Sequence, residues 1–180
     1  LIGLLFLIGC VNSPIGTEFI IQDKTSTCNN YLSNENDYVA QSFKINASLI
    51  DIISLKINSA DQVEIVLSII EENISGKEIF NIRRNISESR IGVFLINIPH
   101  LPIIPNKEYF LKLNCSNCVH KISSPENTEK PKSRLICFSY SDGNPYTAGR
   151  YFYKTSGYES EDSELDLTFK IGGRKWEFIF

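Results

Sequence analysis

The chain has 180 residues, of which 42% are hydrophobic, 11% aromatic and 22% charged, with 18 basic against 21 acidic side chains and a formal net charge of −3. That balance leaves no surplus positive charge to follow a phosphate backbone, which excludes nucleic-acid binding driven by electrostatics, and the apolar fraction is too high for a disordered segment. Length and composition fit one folded domain; with no methionine present, the sequence is expected to continue upstream of Leu1.

Leu1 to Ile8 is an almost unbroken apolar run closed by Gly9-Cys10, after which the chain turns polar at Asn12-Ser13-Pro14. The run is shorter than the about 20 apolar residues that span a bilayer. It has the length of the apolar core of a secretory signal peptide, roughly 7–15 residues. Leu7-Ile8-Gly9-Cys10 resembles the lipobox of bacterial lipoproteins. The resemblance implies that residues 1–9 end a signal peptide, that the chain is cut before Cys10, and that Cys10 carries the acyl (palmitate-type) chains. Each buried methylene contributes about 0.8 kcal/mol, so two or three chains hold a protein on a membrane. Residues 10–37 are then the lipidated cysteine and a polar tether, and residues 38–180 the folded domain. Val11 in place of Asp resembles lipoproteins that are not retained at an inner membrane, so the expected location is the cell envelope, at the outer membrane or cell surface of a diderm. The competing reading is a hydrophobic first strand ending in a chance Gly-Cys; basic residues upstream of Leu1 would decide between the two.

Beyond this segment the dominant period is two. Strands are predicted at Glu18 to Ile21, Tyr38 to Ile45, Ile53 to Ile57, Val63 to Ile69, Glu78 to Ile82, Ile91 to Ile98, Glu108 to Leu113, Leu135 to Ser141, Arg150 to Lys154 and Glu164 to Ile171. In the last, Leu165, Leu167, Phe169 and Ile171 alternate with Glu164, Asp166, Thr168 and Lys170, the pattern of a half-buried strand. Ile91 to Ile98 is apolar on both faces, which predicts a central strand covered on each side. Gly172-Gly173 predicts a closing hairpin with Trp176, Phe178 and Phe180 on its second arm. Ser123 to Ser133 is a polar, proline-punctuated loop. No stretch sustains a 3.6-residue period, so the fold class is all-β, an antiparallel β-sandwich. Gln41-Ser42-Phe43, Glu108-Tyr109-Phe110-Leu111, Ser139-Tyr140-Ser141-Asp142-Gly143-Asn144-Pro145-Tyr146, Gly149-Arg150 and Asp166-Leu167-Thr168-Phe169-Lys170 resemble the jelly-roll-like β-sandwich modules of secreted and surface-anchored prokaryotic proteins. That resemblance implies an accessory or carbohydrate-binding-like module without catalysis.

With Cys10 set aside, Cys28, Cys115, Cys118 and Cys137 are an even set in an exported chain, which predicts two disulfides. The preferred pairing joins Cys115 or Cys118 to Cys137 and the other to Cys28; closing a loop of about 20 residues gains roughly 3 kcal/mol. A redox Cys-x-x-Cys and a four-cysteine zinc site are the competing readings. The first lacks a helix at its cysteine, and the second lacks a second close pair.

Neither histidine sits in a metal or triad motif: His100 lies in Pro99-His100-Leu101-Pro102 and His120 follows the Cys-x-x-Cys, where a solvated loop histidine outweighs a Cys/His nucleophile pair. No cofactor is expected. Glu159, Glu161, Asp162 and Glu164 are either a Ca²⁺ site or, the favoured reading, a solvated acidic loop. The four Asn-x-Ser sequons are assigned no function. Tyr140, Asp142, Asn144, Tyr146, Arg150, Tyr151, Tyr153 and Tyr158 crowd one third of the chain. Tyrosine faces beside carboxylate, amide and guanidinium groups suit a sugar-binding surface, against the reading of tyrosines as sandwich structure. On a strand Tyr151 and Tyr153 share one face and Phe152 takes the other, so one set must point away from the core. The functional expectation is an exported, lipid-anchored, non-catalytic binding or structural module whose partners are the membrane and a glycan or an envelope protein. A carbohydrate-binding module using Tyr140 to Tyr158 is the first alternative, and an envelope enzyme the third.

Overall fold

The computed structural model describes residues 13–22, 31–59, 62–86, 90–118, 136–142, 146–155, 158–162 and 164–177. Leu1 to Cys10, Cys28, His120, Ser123 to Ser133 and Asn144 lie outside them, and so do the expectations placed there. The described residues form strands and turns with no helix, as the period-two alternation requires.

One sheet holds β1 (Ser13–Gln22), β2 (Tyr31–Leu32), β4 (Leu49–Ser59), β7 (Arg90–Pro102), β9 (Ile136–Phe138) and β14 (Phe169–Glu177), in the order β1-β14-β4-β9-β2 with β7 also on β4. The other has the order β12-β11-β3-β8-β5-β6, from β3 (Tyr38–Lys44), β5 (Val63–Glu71), β6 (Glu78–Ile86), β8 (Glu108–Cys115), β11 (Tyr151–Thr155) and β12 (Tyr158–Asp162). All pairings are antiparallel. The two sheets face each other as a sandwich around one core.

Because directly paired residues share a face, the register of the second sheet reads out which side chains go inward. Tyr153, Val39, Leu113, Leu67 and Ile82 lie in one continuous row across five strands, and Tyr151, Gln41, Leu111, Ile69 and Phe80 in the next. Together with Phe43 and Tyr109 these meet Ile50, Ile53, Leu55, Ile57, Phe138, Phe169 and Ile171 of the first sheet, all buried. The tyrosines of β11 therefore point into the core and Phe152 points out, the choice that alternation alone leaves open.

The sheets are joined at one edge by a ribbon of β10 (Tyr140–Asp142) and β13 (Leu165–Leu167). Ser139 and Thr168 are where the two chains leave the first sheet, each bonded to Lys56 of β4 and to the other. Asp166 on β13 is fully buried, and its carboxylate accepts from Gln41 Nε2 at 2.8 Å and from Tyr146 N at 2.7 Å, while Gln41 Oε1 accepts from Leu167 N at 3.0 Å. This polar cross-link fixes β13 onto β3. Burial pushes the Asp166 pKa up, against the two donors.

Three sequence expectations are corrected. Gly172-Gly173 is no hairpin: β14 runs straight through it, shifting register against β4. A Cβ on Gly173 would lie 2.3 Å from the Leu49 carbonyl oxygen and 2.8 Å from Ala47 Cβ, so the glycine serves close approach of β4 instead of a turn. Ile91 to Ile98 is no doubly covered central strand: among the described residues its strand partner is β4, and Val93 and Leu95 are 54% and 61% exposed. Within the segment read as a tether, Ser13–Gln22 pairs along β14 and Tyr31–Leu32 pairs with β9.

Candidate functional site

The outer face of the second sheet carries the complementary rows. Phe152, Ala40, Lys112, Ser68 and Asn81 form one, and Lys154, Tyr38, Asn114, Val66 and Arg83 another. A third contains Ser42, Phe110 and Ile70, ending at Glu78. The face is divided. Over β11, β3 and β8 it is closed by aromatics: Phe110 is buried beneath Phe152, ring centroids 5.7 Å apart, and the Arg150 guanidinium lies over Phe152 at 5.5 Å while pairing with Glu161 and Glu108. Over β8, β5 and β6 it opens into a cleft of about 460 Å³, floored by Lys112, Asn114, Val66, Ser68, Ile70, Asn81 and Arg83 and rimmed by Glu35, Asn36, Glu78 and Ser116.

Both rim loops are tightly held. Asp37 is buried and its carboxylate accepts four hydrogen bonds, from Ser33 N (2.9 Å), Ser33 Oγ (3.0 Å), Asn34 N (3.2 Å) and Asn34 Nδ2 (2.7 Å), which folds the 33–37 turn that presents Glu35 and Asn36. On the other side Cys115 and Cys118 are joined in a disulfide across a three-residue separation. The turn between them is pinned to β5: Asn117 Oδ1 accepts from Glu64 N at 2.7 Å, Ser116 N donates to Glu64 O at 2.9 Å, and Ser116 Oγ donates to the Glu64 carboxylate. On the floor Asn81 Nδ2 donates to Ser68 Oγ at 3.0 Å and to Glu78 Oε2 at 3.1 Å, and Arg83 pairs with Glu64 at 3.4 Å. A site whose side chains are locked in this way loses little entropy when a ligand arrives.

Lys112 is the central group. Ala40, the small residue beside it in the row, leaves room for its ammonium to sit over the Tyr38 ring at 4.3 Å. Burial pushes its pKa down; Glu159 opposes this, Lys154 reinforces it, and Glu78 opposes it again. The Tyr38 hydroxyl donates to Glu159 and its pKa is raised, first by burial and then by that carboxylate.

The expected disulfide pairing is corrected: Cys115 and Cys118 bond to each other, so neither reaches Cys137 or Cys28. The end of β8 and the turn after it hold the two Cα atoms 5.5 Å apart, within the range a disulfide spans. Cys137 is itself disulfide-bonded. The zinc reading falls with this, because it needs four thiolates.

The expected sugar-binding tyrosines do not form one surface. Tyr140 and Tyr151 are buried, their rings 6.2 Å apart, so neither offers a face to a sugar. Tyr146 packs edge-on to Phe169 at 5.7 Å, and its hydroxyl accepts from Lys44 N at 3.0 Å. Tyr153 is half-buried between Tyr151 and Tyr158, and Tyr158 alone of the set is open, at 63% exposure. Arg150 is on the opposite face, paired with Glu161 at 3.4 Å, and Asp142 sits in β10 opposite Leu165.

Of the acidic run, Glu159 to Asp162 lie on β12, with Glu159 and Glu161 alternating with Ser160 and Asp162, and Glu164 lies in a turn beyond it. Glu159 pairs with Lys154 at 3.8 Å, and Asp162 Oδ1 accepts from Glu164 N at 2.9 Å. Among the described residues no three His, Cys, Asp or Glu side chains gather as cation ligands. His100 stands on β7 at φ 43°, its Nδ1 2.6 Å from Asp51 Oδ1 and from an Arg174 nitrogen, and Arg174 clamps the same carboxylate with two bonds. That clamp, ahead of the His100 contact, holds the Asp51 pKa below its usual range.

No cleft residue was singled out by sequence. Outward positions of β5, β6 and β8 carry Ser68, Asn81, Asn85 and Asn114 beside Glu64, Glu78, Glu108 and Lys112, an ordinary mixture that gives no signal by itself.

No protein-family model matches the chain, and no curated protein matches it in sequence. Among solved structures it is similar to the cysteine protease and lectin-like domains of Cwp84, a surface layer associated protein of Clostridium difficile, with a TM-score of 0.50, 10% identity, and 78% of this chain covered. The chain spans about a third of that structure, 32% of its length. It is also similar to the carbohydrate-binding module CBM36 in complex with calcium and xylotriose, with a TM-score of 0.37, 12% identity, and 81% and 93% of the two chains covered. The first likeness is one of fold, the antiparallel β-sandwich.

Proposed function

We propose that the protein is a non-catalytic glycan-binding module, displayed at the cell envelope through an acylated Cys10. The observation that carries the reading is the cleft on β5, β6 and β8: a rigid floor of the Asn81 and Asn114 amides, the Ser68 hydroxyl, the Lys112 ammonium and the ion-paired Arg83 guanidinium, interrupted by Val66 and Ile70. Fixed donors and acceptors suit ring hydroxyls, and the aliphatic side chains suit the C–H faces between them. The lectin-like part of the Cwp84 structure is consistent with this use of the fold, while fold alone leaves the ligand to the site. The Cys10 anchor rests on the lipobox-like Leu7-Ile8-Gly9-Cys10.

Affinity electrophoresis of the full chain through gels containing polysaccharides tests the binding. Retardation should be lost in the Ser68→Ala/Asn81→Ala double variant and retained in Tyr158→Ala; retardation lost only in the latter would move the site to the tyrosine edge, and no retardation in any glycan gel would remove the reading. For the anchor, metabolic labelling with an alkynyl fatty acid should tag the protein and fail on Cys10→Ala.

A further inference from the structure

The geometry points to an acidic saccharide as the ligand of this cleft, with the Lys112 ammonium meeting a ring carboxylate, sulfate or phosphate; the inference rests on the glycan reading above. Lys112 is half-buried and makes no ion pair among the described residues. The two carboxylates whose fields reach it are turned to other partners. Glu159 accepts from Tyr38 and pairs with Lys154, and Glu78 accepts from Asn81. Arg83, the other cation of the floor, is neutralised by Glu64. A desolvated charge is costly unless paired, and an aromatic ring compensates only part of that cost.

An anion entering the cleft at the Lys112 ammonium, on the Tyr38 side and away from Glu78, would supply the missing counter-charge. A neutral sugar in the same place would strip further water from the ammonium and return only weak hydroxyl acceptors, so discrimination against it follows from the site's own unpaired charge. An ammonium is a point charge without a fork, which is why the three anionic groups are not distinguished by geometry here.

The test is an array of neutral, uronate-bearing, sialylated, sulfated and phosphorylated glycans probed with the full chain. Calorimetry on the hits then compares each with its carboxyl-reduced, desulfated or dephosphorylated form. Acidic forms should bind about tenfold tighter than their neutral counterparts, the factor corresponding to about 1.4 kcal/mol. Lys112→Gln should abolish that preference at unchanged melting temperature, and Lys112→Arg should keep it. Equal binding of acidic and neutral forms, or a preference that survives Lys112→Gln, overturns the acidic-ligand inference and leaves glycan binding standing. Binding to no glycan on the array overturns both.

Discussion

Tyr151 and Lys112 sit in the same six-stranded sheet, within two strands of each other, and have opposite fates. The Tyr140–Tyr158 region has the aromatic and polar composition of a sugar site, yet its register turns Tyr151 and Tyr153 inward, where they stack at 6.0 Å and build the core. The β5–β6–β8 region has an unremarked composition, yet its outward rows assemble a cleft. Aromatic density marks where a sandwich is packed at least as readily as where it binds. What distinguishes a binding face is polar side chains held in place by one another without being covered.

Four measurements would break or sharpen that contrast. The largest effect is expected for Tyr151→Ala: a fully buried aromatic whose truncation costs about 3–5 kcal/mol, read by urea unfolding. A cost below 1 kcal/mol would mean that the ring is not in the core. Gln41→Ala comes next. It strips a donor from buried Asp166 and leaves the Leu167 N–H without its acceptor, a loss of about 1–3 kcal/mol for a buried unsatisfied group. If the variant melted with the parent chain, the cross-link between β3 and β13 would hold nothing.

The pH dependence of stability should then separate two carboxylates by sign. The folded chain holds the Asp166 proton more tightly than the unfolded chain, so this residue lowers stability as pH rises from 3.8 through its raised folded value. Asp51, held low by Arg174, acts the other way: its contribution is complete above 3.8 and is lost as pH falls through its depressed value. Asp166→Asn should flatten the profile above 3.8 and Asp51→Asn below it; the same variant flattening the opposite limb would contradict its assigned environment. The smallest effect is expected for Tyr158→Ala. Its exposed ring should change stability by less than about 0.5 kcal/mol, and a larger loss would show that the open end of the tyrosine row is part of the core.

Most of the architecture was legible from the chain. Ile53-Leu55-Ile57 alternates cleanly and lies in β4 with those side chains inward, whereas the alternating Leu165-Leu167-Phe169-Ile171, which reads as one strand, is divided at Thr168 between β13 and β14 in different sheets while keeping Leu167, Phe169 and Ile171 buried. Where legibility failed, a local pattern had two meanings. Gly172-Gly173 reads as a turn because glycine permits one, but it also permits the close approach to β4 that the structure uses. Ile91 to Ile98 reads as covered on both faces because it is apolar on both, but Val93 and Leu95 show that apolar side chains can also face outward on a strand paired with β4. Cys115 and Cys118 are near in sequence, and nothing local says whether a turn will bring them into bonding distance.

The sequence by itself determined the class of fold, because a period of two is compatible only with strands that bury one face. Tertiary structure alone decided which face of β11 is inside, since Tyr151, Phe152 and Tyr153 lack the polarity contrast that would choose it locally, and the choice falls to pairing with Gln41, Ala40 and Val39. It alone decided the cleft as well. Asn36, Ser68, Asn81, Lys112 and Ser116 come from separate parts of the chain, each an ordinary outward residue on its own, and they become a site only because antiparallel register lays β8, β5 and β6 side by side.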